Sequence, residues 1–435
     1  MSPPYVSIGL SVCRRCSPFV RAYPSPARYS STVHGRSNPL EFASFFFHNA
    51  QWKSTASVTT TKYASPPQSR RSTRAAIEPV SLASYKPTEV LTTRRLFKIY
   101  TQLSKSQLTT LVVLTAMGGV ALSPLPTTVP VLLATAFGTA LCSASANSLN
   151  QLQEIPFDAQ MARTRNRPLV RRAITPVHAT CFATVTGISG PLLLWTMVNP
   201  TTAWLGILNI ALYAGPYTWL KRSTIWNTWL GSIVGAIPPL MGWTACGGHL
   251  LPSPDHPITL FLPSFLTASP IDGLLIDNPL APFALFMVLF SWQFPHFNAL
   301  SHFVRESYAQ AGYHMLCITN PLKNRLVAFR HALLFVPICS VLVPLSGLTT
   351  WAFALTSLVP NTILVQAAWK FYKTGSGKHA RVLFQHSLWF LPVILGLMMF
   401  HKQGMDWLSW IGWRTEEDRN NIHPTVTPVP VPPTN

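Results

Sequence analysis

Nine runs of apolar residues, each long enough to cross a bilayer, constrain this chain more than any other feature of it. They lie near residues 106–122, 129–149, 174–198, 201–220, 227–247, 280–303, 327–346, 349–371 and 383–400. A helix of about 20 apolar residues matches the thickness of the hydrocarbon layer, where the backbone must satisfy its own hydrogen bonds. The expected fold class is therefore an all-α polytopic membrane protein. Composition agrees, with 48% apolar and 11% charged residues and a mean hydropathy of +0.26, values foreign to a soluble domain of this length.

The formal net charge of +20 does not point to nucleic acid, because the Lys and Arg residues occupy a leader and short joins, with no basic patch interleaved with aromatics. Eleven Lys or Arg stand in the first 88 residues against Glu41 and Glu78, in a stretch rich in Ser, Thr and Pro. That composition predicts a mitochondrial transit peptide and leader over 1–90. The domain proper is expected over 91–403, followed by a tail over 404–435 that is Pro-rich at its end. Cys13-Arg-Arg-Cys16 has no second pair, and the remaining cysteines are scattered singly along apolar stretches, which predicts small buried thiols.

Basic residues alternate between joins. Arg163, Arg165, Arg167, Arg171 and Arg172 follow the second run, Lys221 and Arg222 the fourth, Arg305, Lys323 and Arg325 the sixth, and Lys373, Lys378 and Arg381 the eighth. The other joins hold no Lys or Arg. By the positive-inside rule the N-terminus and these loops face the matrix of an inner-membrane protein. The long join from 248 to 279, with Asp255, Asp272 and Asp277, then faces the intermembrane space, and its run Ile258 to Phe265 is suited to rest in the interface or to cap a site.

The chain has only thirteen Asp plus Glu. Glu154 and Asp158 at the edge of the hydrocarbon layer are thus a costly choice that points to function. Asn150, Glu154 and Asp158 are spaced i, i+4, i+8, which stacks three oxygen donors on one helix face, about 6 Å apart along the axis. Pro156 is expected to end or bend the helix and to turn Asp158 inward on a loop. Hard oxygen donors of this kind suit Mg²⁺, which completes its shell with water and substrate phosphates. The competing reading is a plain ion pair with Arg163 or Arg167. Arg163, Arg167, Lys221 and Arg222 can surround a diphosphate, and Tyr217, Trp219 and Trp292 can face an allylic cation. Gly231 and Gly235 are expected to serve helix packing.

The pattern Asn150-Gln151, Glu154, Asp158, Met161, Arg163-Thr164, Arg167-Pro168 resembles the first signature of the protoheme IX farnesyltransferases, a branch of the UbiA-type prenyltransferases. Further matches follow in the family's order: Tyr217-Thr218, Lys221-Arg222, Thr224 and Asn227; Gly235-Ala236 with Pro238-Pro239 and Gly242-Trp243; Trp292-Gln293 with Pro295-His296-Phe297; Tyr308, Gly312 and Met315; and Ala380-Arg381, Leu383-Phe384, Ser387 and Pro392. The resemblance spans roughly residues 98 to 400. It implies nine transmembrane helices around a central cavity, and transfer of farnesyl from farnesyl diphosphate to a vinyl group of heme B with Mg²⁺ as cofactor, giving heme O. It implies catalytic and metal roles for Asn150, Glu154 and Asp158, diphosphate contacts from Arg163, Arg167, Lys221 and Arg222, and a heme contact at His296. Tyr217, Glu306 and Tyr308 are additional site candidates.

Ser307 stands where the family commonly has Asp, and Glu306 lies one residue earlier, which leaves open a second metal ligand from this loop. His302 is expected to pair with Glu306. A downstream heme A synthase is implied as a partner, and a homo-oligomer is compatible with the family. Two other classes compete, a quinone-pathway aromatic polyprenyltransferase and a membrane transporter. The first usually carries a second Asp-x-x-x-Asp motif, and the second two comparable acidic halves; neither is seen here.

Overall fold

The computed structural model describes residues 92–263, 266 and 276–405. The leader over 1–90, Cys13 and Cys16, Asp272, the end of the run at Phe265 and the Pro-rich end of the tail lie outside the described residues.

Repeated start signals set the helix boundaries. Thr175-Pro176, Asn199-Pro200 and Asn320-Pro321 each place a capping side chain before a proline that needs no hydrogen-bond partner, and Asn199 and Asn320 each accept a backbone N–H at 2.8 Å. The helices in chain order are α1 Thr93–Leu103, α2 Ser106–Leu122, α3 Val129–Asp158, α4 Pro176–Met197, α5 Pro200–Leu212, α6 Thr218–Ser223, α7 Asn227–Ala245 and α8 Leu280–Phe303. There follow α9 Arg305–Gln310, α10 Leu316–Thr319, α11 Pro321–Pro337, α12 Val343–Leu345, α13 Ala352–Thr356, α14 Leu358–Thr374 and α15 Gly377–Phe400. Among the described residues there is no strand, only an isolated bridge between Thr349 and Lys402.

By length and composition six helical segments can cross a membrane, or seven if the pair α1 and α2, bent by 57°, counts as one. The two remaining expected runs are helical too. Residues 201–220 fall on α5 and α6, which a π-turn at Tyr213–Tyr217 interrupts. Residues 227–247 fall on α7, whose Gly, Pro and Trp content lowers its hydropathy and most of whose side chains are buried by other helices, with little facing outward. Helical segments therefore occupy all nine expected places among the described residues.

Two groups of helices share the central α7 and α8. Helices α2, α3 and α5 pack against one side of α7, with α4 against α3 and α5, while α11 and α15 pack against α8 and α14 packs against both α11 and α15. Outward-facing Leu111, Leu133, Phe137, Val185, Leu192 and Leu355 are each more than half exposed, a surface that needs lipid as its solvent. Inside, Phe294, Phe335, Phe353, Phe371 and Phe390 are fully buried, and in such a setting close packing is the main force between helices. A close backbone approach joins α2 to α7. A Cβ on Gly119 would meet the Pro239 carbonyl, and one on Gly242 the Ala116 carbonyl.

Three expectations change. Helix α3 runs through Pro156 to Asp158 with no loop before it, because the proline sits in the last turn, where few hydrogen bonds remain to lose. The described residues of the join over 248–279 take no part in the wall of the cavity described below. It folds against the bundle, with the Phe261 N–H bonded to the Leu345 carbonyl at 2.9 Å and the Trp351 indole N–H to the Phe261 carbonyl at 3.0 Å. Cys181 is exposed, unlike the buried Cys142, Cys317 and Cys339.

Candidate active site

The last turns of α3 carry Asn150, Glu154 and Asp158 on one face, and all three side chains are buried. Unpaired carboxylates in this position would each cost several kcal/mol. Basic residues from three other places meet them. Lys221 Nζ on α6 lies 2.8 Å from Glu154 Oε1, Arg167 from the loop after α3 pairs with Asp158 and comes within 3.9 Å of Glu154 Oε2, and Lys105 Nζ donates to Asn150 Oδ1 at 2.9 Å. Asp158 Oδ1 is buried and has no hydrogen-bond partner. The Arg167 contact agrees with the ion-pair reading, but one pair does not explain three cations converging on one face.

Local backbone features aim these groups. Lys105 sits at the bend between α1 and α2 with a φ of 47°, in the left-handed region that side chains other than glycine rarely adopt, and such strain collects at functional sites. Its ammonium also donates to the Tyr213 hydroxyl at 3.3 Å. The π-turn at Tyr213–Tyr217, broken at Gly215 and followed by Pro216, stacks Tyr213 on Tyr217 at 5.2 Å between ring centres. The Lys221 ammonium lies 4.5 Å above the Tyr217 ring, a cation–π contact.

These residues line a cavity of about 460 Å³, the size of an ordinary small-molecule site. One end is polar, with Lys105, Asn150, Glu154, Asp158, Arg163, Arg167, Lys221, Tyr308 and Tyr313, while Leu108, Val112, Cys142, Ile210, Val234 and Met241 continue it into the apolar bundle. Gly231 and Gly235 form part of this wall. A Cβ on Gly231 would stand 2.7 Å from the Tyr217 ring, and one on Gly235 would strike the Gln293 amide. Both glycines line the cavity where α7 meets Tyr217 and, on α8, Gln293, and so allow close approach between elements there, as Gly119 and Gly242 do between α2 and α7.

From α8, Gln293 and His296 also line the cavity. His296 Nδ1 is 3.0 Å from Ser387 Oγ, its ring stacks on Trp292 at 4.6 Å, and the Trp292 indole N–H donates to the Ser387 carbonyl at 2.7 Å. One ring nitrogen is thus held by the protein and Nε2 is left for a ligand. Tyr308 on α9 and Tyr313 after it are positioned by the His314 N–H, which donates to the Lys221 carbonyl at 2.9 Å. Burial pushes both phenols above the usual tyrosine range, so they are neutral O–H donors at any physiological pH.

Of the residues expected from sequence, Asn150, Glu154, Asp158, Arg163, Arg167, Lys221, Tyr217, His296 and Tyr308 meet on this wall. Arg222 and Glu306 do not. Arg222 donates to the Gln153 carbonyl at 2.6 Å and lies over the Phe157 ring, behind α3. Glu306 is exposed, and His302 packs against Phe371. Lys105, Tyr213, Gln293 and Tyr313 are cavity residues that sequence reasoning missed. The signal for Lys105 in the sequence is its position at the foot of the first apolar run.

Residues 111–391 match the model of the UbiA prenyltransferase family. The chain belongs to the UbiA prenyltransferase family. It is 42% identical over 357 residues to the mitochondrial protoheme IX farnesyltransferase of Gibberella zeae, covering 77% of this chain and 68% of that one. It is 43% identical over 305 residues to the human protein of the same name, covering 70% and 62%. The match thus spans about two thirds of the length of these relatives. Among solved structures, that of a digeranylgeranylglyceryl phosphate synthase shares the fold with a TM-score of 0.52 at 15% identity, covering 70% of this chain and 98% of that one. In this UbiA chain the Asn150, Glu154, Asp158 face is thus set in a prenyltransferase fold, with the apolar length of the cavity continuing from it.

Proposed function

We propose that this protein is a mitochondrial inner-membrane protoheme IX farnesyltransferase, which transfers farnesyl from farnesyl diphosphate to a vinyl group of heme B to make heme O. The observation that carries this reading is the convergence of Lys105, Arg167 and Lys221 on the buried Asn150, Glu154, Asp158 face at the mouth of an apolar cavity that His296 also lines. The 42% and 43% identity to relatives of that name supports the choice of heme as acceptor.

The donor set fits a divalent metal, since Asp158 Oδ1 is a buried carboxylate oxygen with no partner and its neighbours are oxygen donors. Asn150, Glu154 and Asp158 would hold Mg²⁺, which when bound neutralises the diphosphate and makes it a better leaving group. Four basic side chains on the cavity wall, Lys105, Arg163, Arg167 and Lys221, stand against two carboxylates. That excess favours a bound anion. On substrate entry, Lys105, Arg167 and Lys221 exchange their carboxylate and amide partners for diphosphate oxygens.

The bond from C1 of farnesyl to the diphosphate oxygen breaks, and diphosphate leaves with the electron pair. Tyr213 and Tyr217 present ring faces beside the resulting allylic cation. The terminal vinyl carbon of heme bonds to C1, and the cation that forms next to the pyrrole ring takes oxygen from water, which loses a proton. No strong base is needed for any of these steps. Gln293 and His296 would position the porphyrin.

The test incubates purified protein with heme B, farnesyl diphosphate and Mg²⁺, with 4-hydroxybenzoate as a competing acceptor. The expected result is heme O, dependent on the metal, with no prenylated phenol. A prenylated phenol in its place would keep the prenyltransferase site and overturn the heme assignment.

A further inference from the structure

The far end of the bundle holds a second cluster that prenyl transfer does not use. Helix α7 separates it from Lys221, and its length places the two ends about 28 Å apart. Past the end of α7, Gly247 takes a φ of 86° and turns the chain so that the His249 backbone N–H donates to Asp277 Oδ2 at 3.0 Å. His249 Nδ1 meets the same oxygen at 2.7 Å. A tight turn, with Ser253 and His256 exchanging backbone hydrogen bonds at 3.1 Å, brings the His256 ring back over His249 at 3.9 Å between centres and 21° between planes. The ligand atoms of His249, His256 and Asp277 all lie within 4.8 Å of one another.

A second observation separates this cluster from an ordinary surface ion pair. The Asp277 side chain is only 8% exposed, and its Oδ1 is buried without a hydrogen-bond partner. The next residue fixes its position, because the Asn278 amide donates to the Thr259 carbonyl at 2.6 Å and to the Ser346 carbonyl at 3.0 Å. A buried carboxylate oxygen left unpaired beside two imidazoles costs stability unless something positive is bound there.

We infer that His249, His256 and Asp277 form a binding site for a divalent transition metal of the zinc class, pinning the loop after α7 to the start of α8. Two imidazoles and a carboxylate suit zinc, at about 2.0–2.2 Å from each ligand, whereas Mg²⁺ and Ca²⁺ prefer oxygen alone. The three donors close in by little more than a side-chain rotation. On binding, any proton shared between His249 Nδ1 and Asp277 is released to solvent. The half-exposed face of His249 leaves the fourth position to water. The site is independent of the proposed heme chemistry.

The test uses the full chain in detergent, without a polyhistidine tag, stripped with a chelator and titrated with Zn²⁺ alone. The expected result is one high-affinity ion per chain, bound at least tenfold more weakly in Asp277→Asn and in His256→Gln, while Co²⁺ in the wild type gives the visible absorption of a four-coordinate site. His256→Gln decides the matter if Asp277→Asn does not fold, because the His256 ring contributes stacking on His249 and its loss is mild. Zinc affinity unchanged in His256→Gln, or no zinc retained by the wild type, would overturn the site.

Discussion

Lys221 Nζ and Glu154 Oε1 meet at 2.8 Å across 67 residues of sequence, with the two side chains only 10% and 5% exposed. Each is the main compensation for the other's burial. Lys221→Met strands a buried carboxylate and is expected to cost about 3–5 kcal/mol. The double variant Lys221→Met with Glu154→Gln removes both charges, so it should recover most of the melting temperature while prenyl transfer stays absent. Thermal unfolding of the two variants in detergent, set beside turnover, checks the pair.

Asp158→Asn keeps the shape of the side chain and one acceptor oxygen but removes the charge at the unpaired Oδ1. The expected outcome is a loss of turnover of about 100-fold or more, the scale seen when one preorganised electrostatic group is removed. The variant should still fold and reach the membrane. A Mg²⁺ titration of activity should show a shift to much higher concentrations. Full activity at the wild-type metal requirement would rule out metal binding at this residue.

Lys105 offers a separation of backbone and side-chain effects. At a φ of 47°, Lys105→Gly relieves a strain of about 1–2 kcal/mol, which offsets the lost hydrogen bonds to Asn150 and Tyr213. The melting temperature should therefore hold within a few degrees. The Michaelis constant for farnesyl diphosphate should rise at least tenfold, the loss of one charged contact. A fall in stability with substrate affinity intact would make Lys105 a structural residue.

His296→Ala is expected to weaken heme B binding, read by the Soret absorbance, and to leave the affinity for farnesyl diphosphate within about twofold, because the heme contact proposed at His296 lies on α8, apart from the residues proposed to hold the diphosphate. Ser387→Ala removes the partner of Nδ1 and should give a smaller heme effect, in the range of about 10-fold that supporting hydrogen bonds carry.

The spans and the acidic face were legible because both rest on local rules. Hydrophobic runs mark the helices, and i, i+4, i+8 spacing puts Asn150, Glu154 and Asp158 together whatever surrounds them. The partners of that face were only partly legible. Arg163, Arg167 and Lys221 follow apolar runs on the same side of the membrane, so proximity was a fair guess, yet Arg222 points behind α3 although it neighbours Lys221, since consecutive residues on a helix stand about 100° apart. Lys105 and Tyr213 come to the site through a left-handed residue and a π-turn, and neither leaves a periodic trace. Pro156 misled because the cost of a proline depends on how many turns follow it. The cluster of His249, His256 and Asp277 was hidden for a different reason: its members are held together by a loop whose path is set by Asn278 and the packing beneath it.

The most direct measurement runs the reaction in H₂¹⁸O with purified protein, heme B, farnesyl diphosphate, Mg²⁺ and 4-hydroxybenzoate as a competing acceptor, and weighs the products. Farnesyl transfer to a vinyl carbon followed by capture of the cation by water predicts heme O carrying one ¹⁸O atom in its new hydroxyl. A farnesylated heme without the label, or no farnesylated heme while 4-hydroxybenzoate is prenylated, would contradict the proposed reaction.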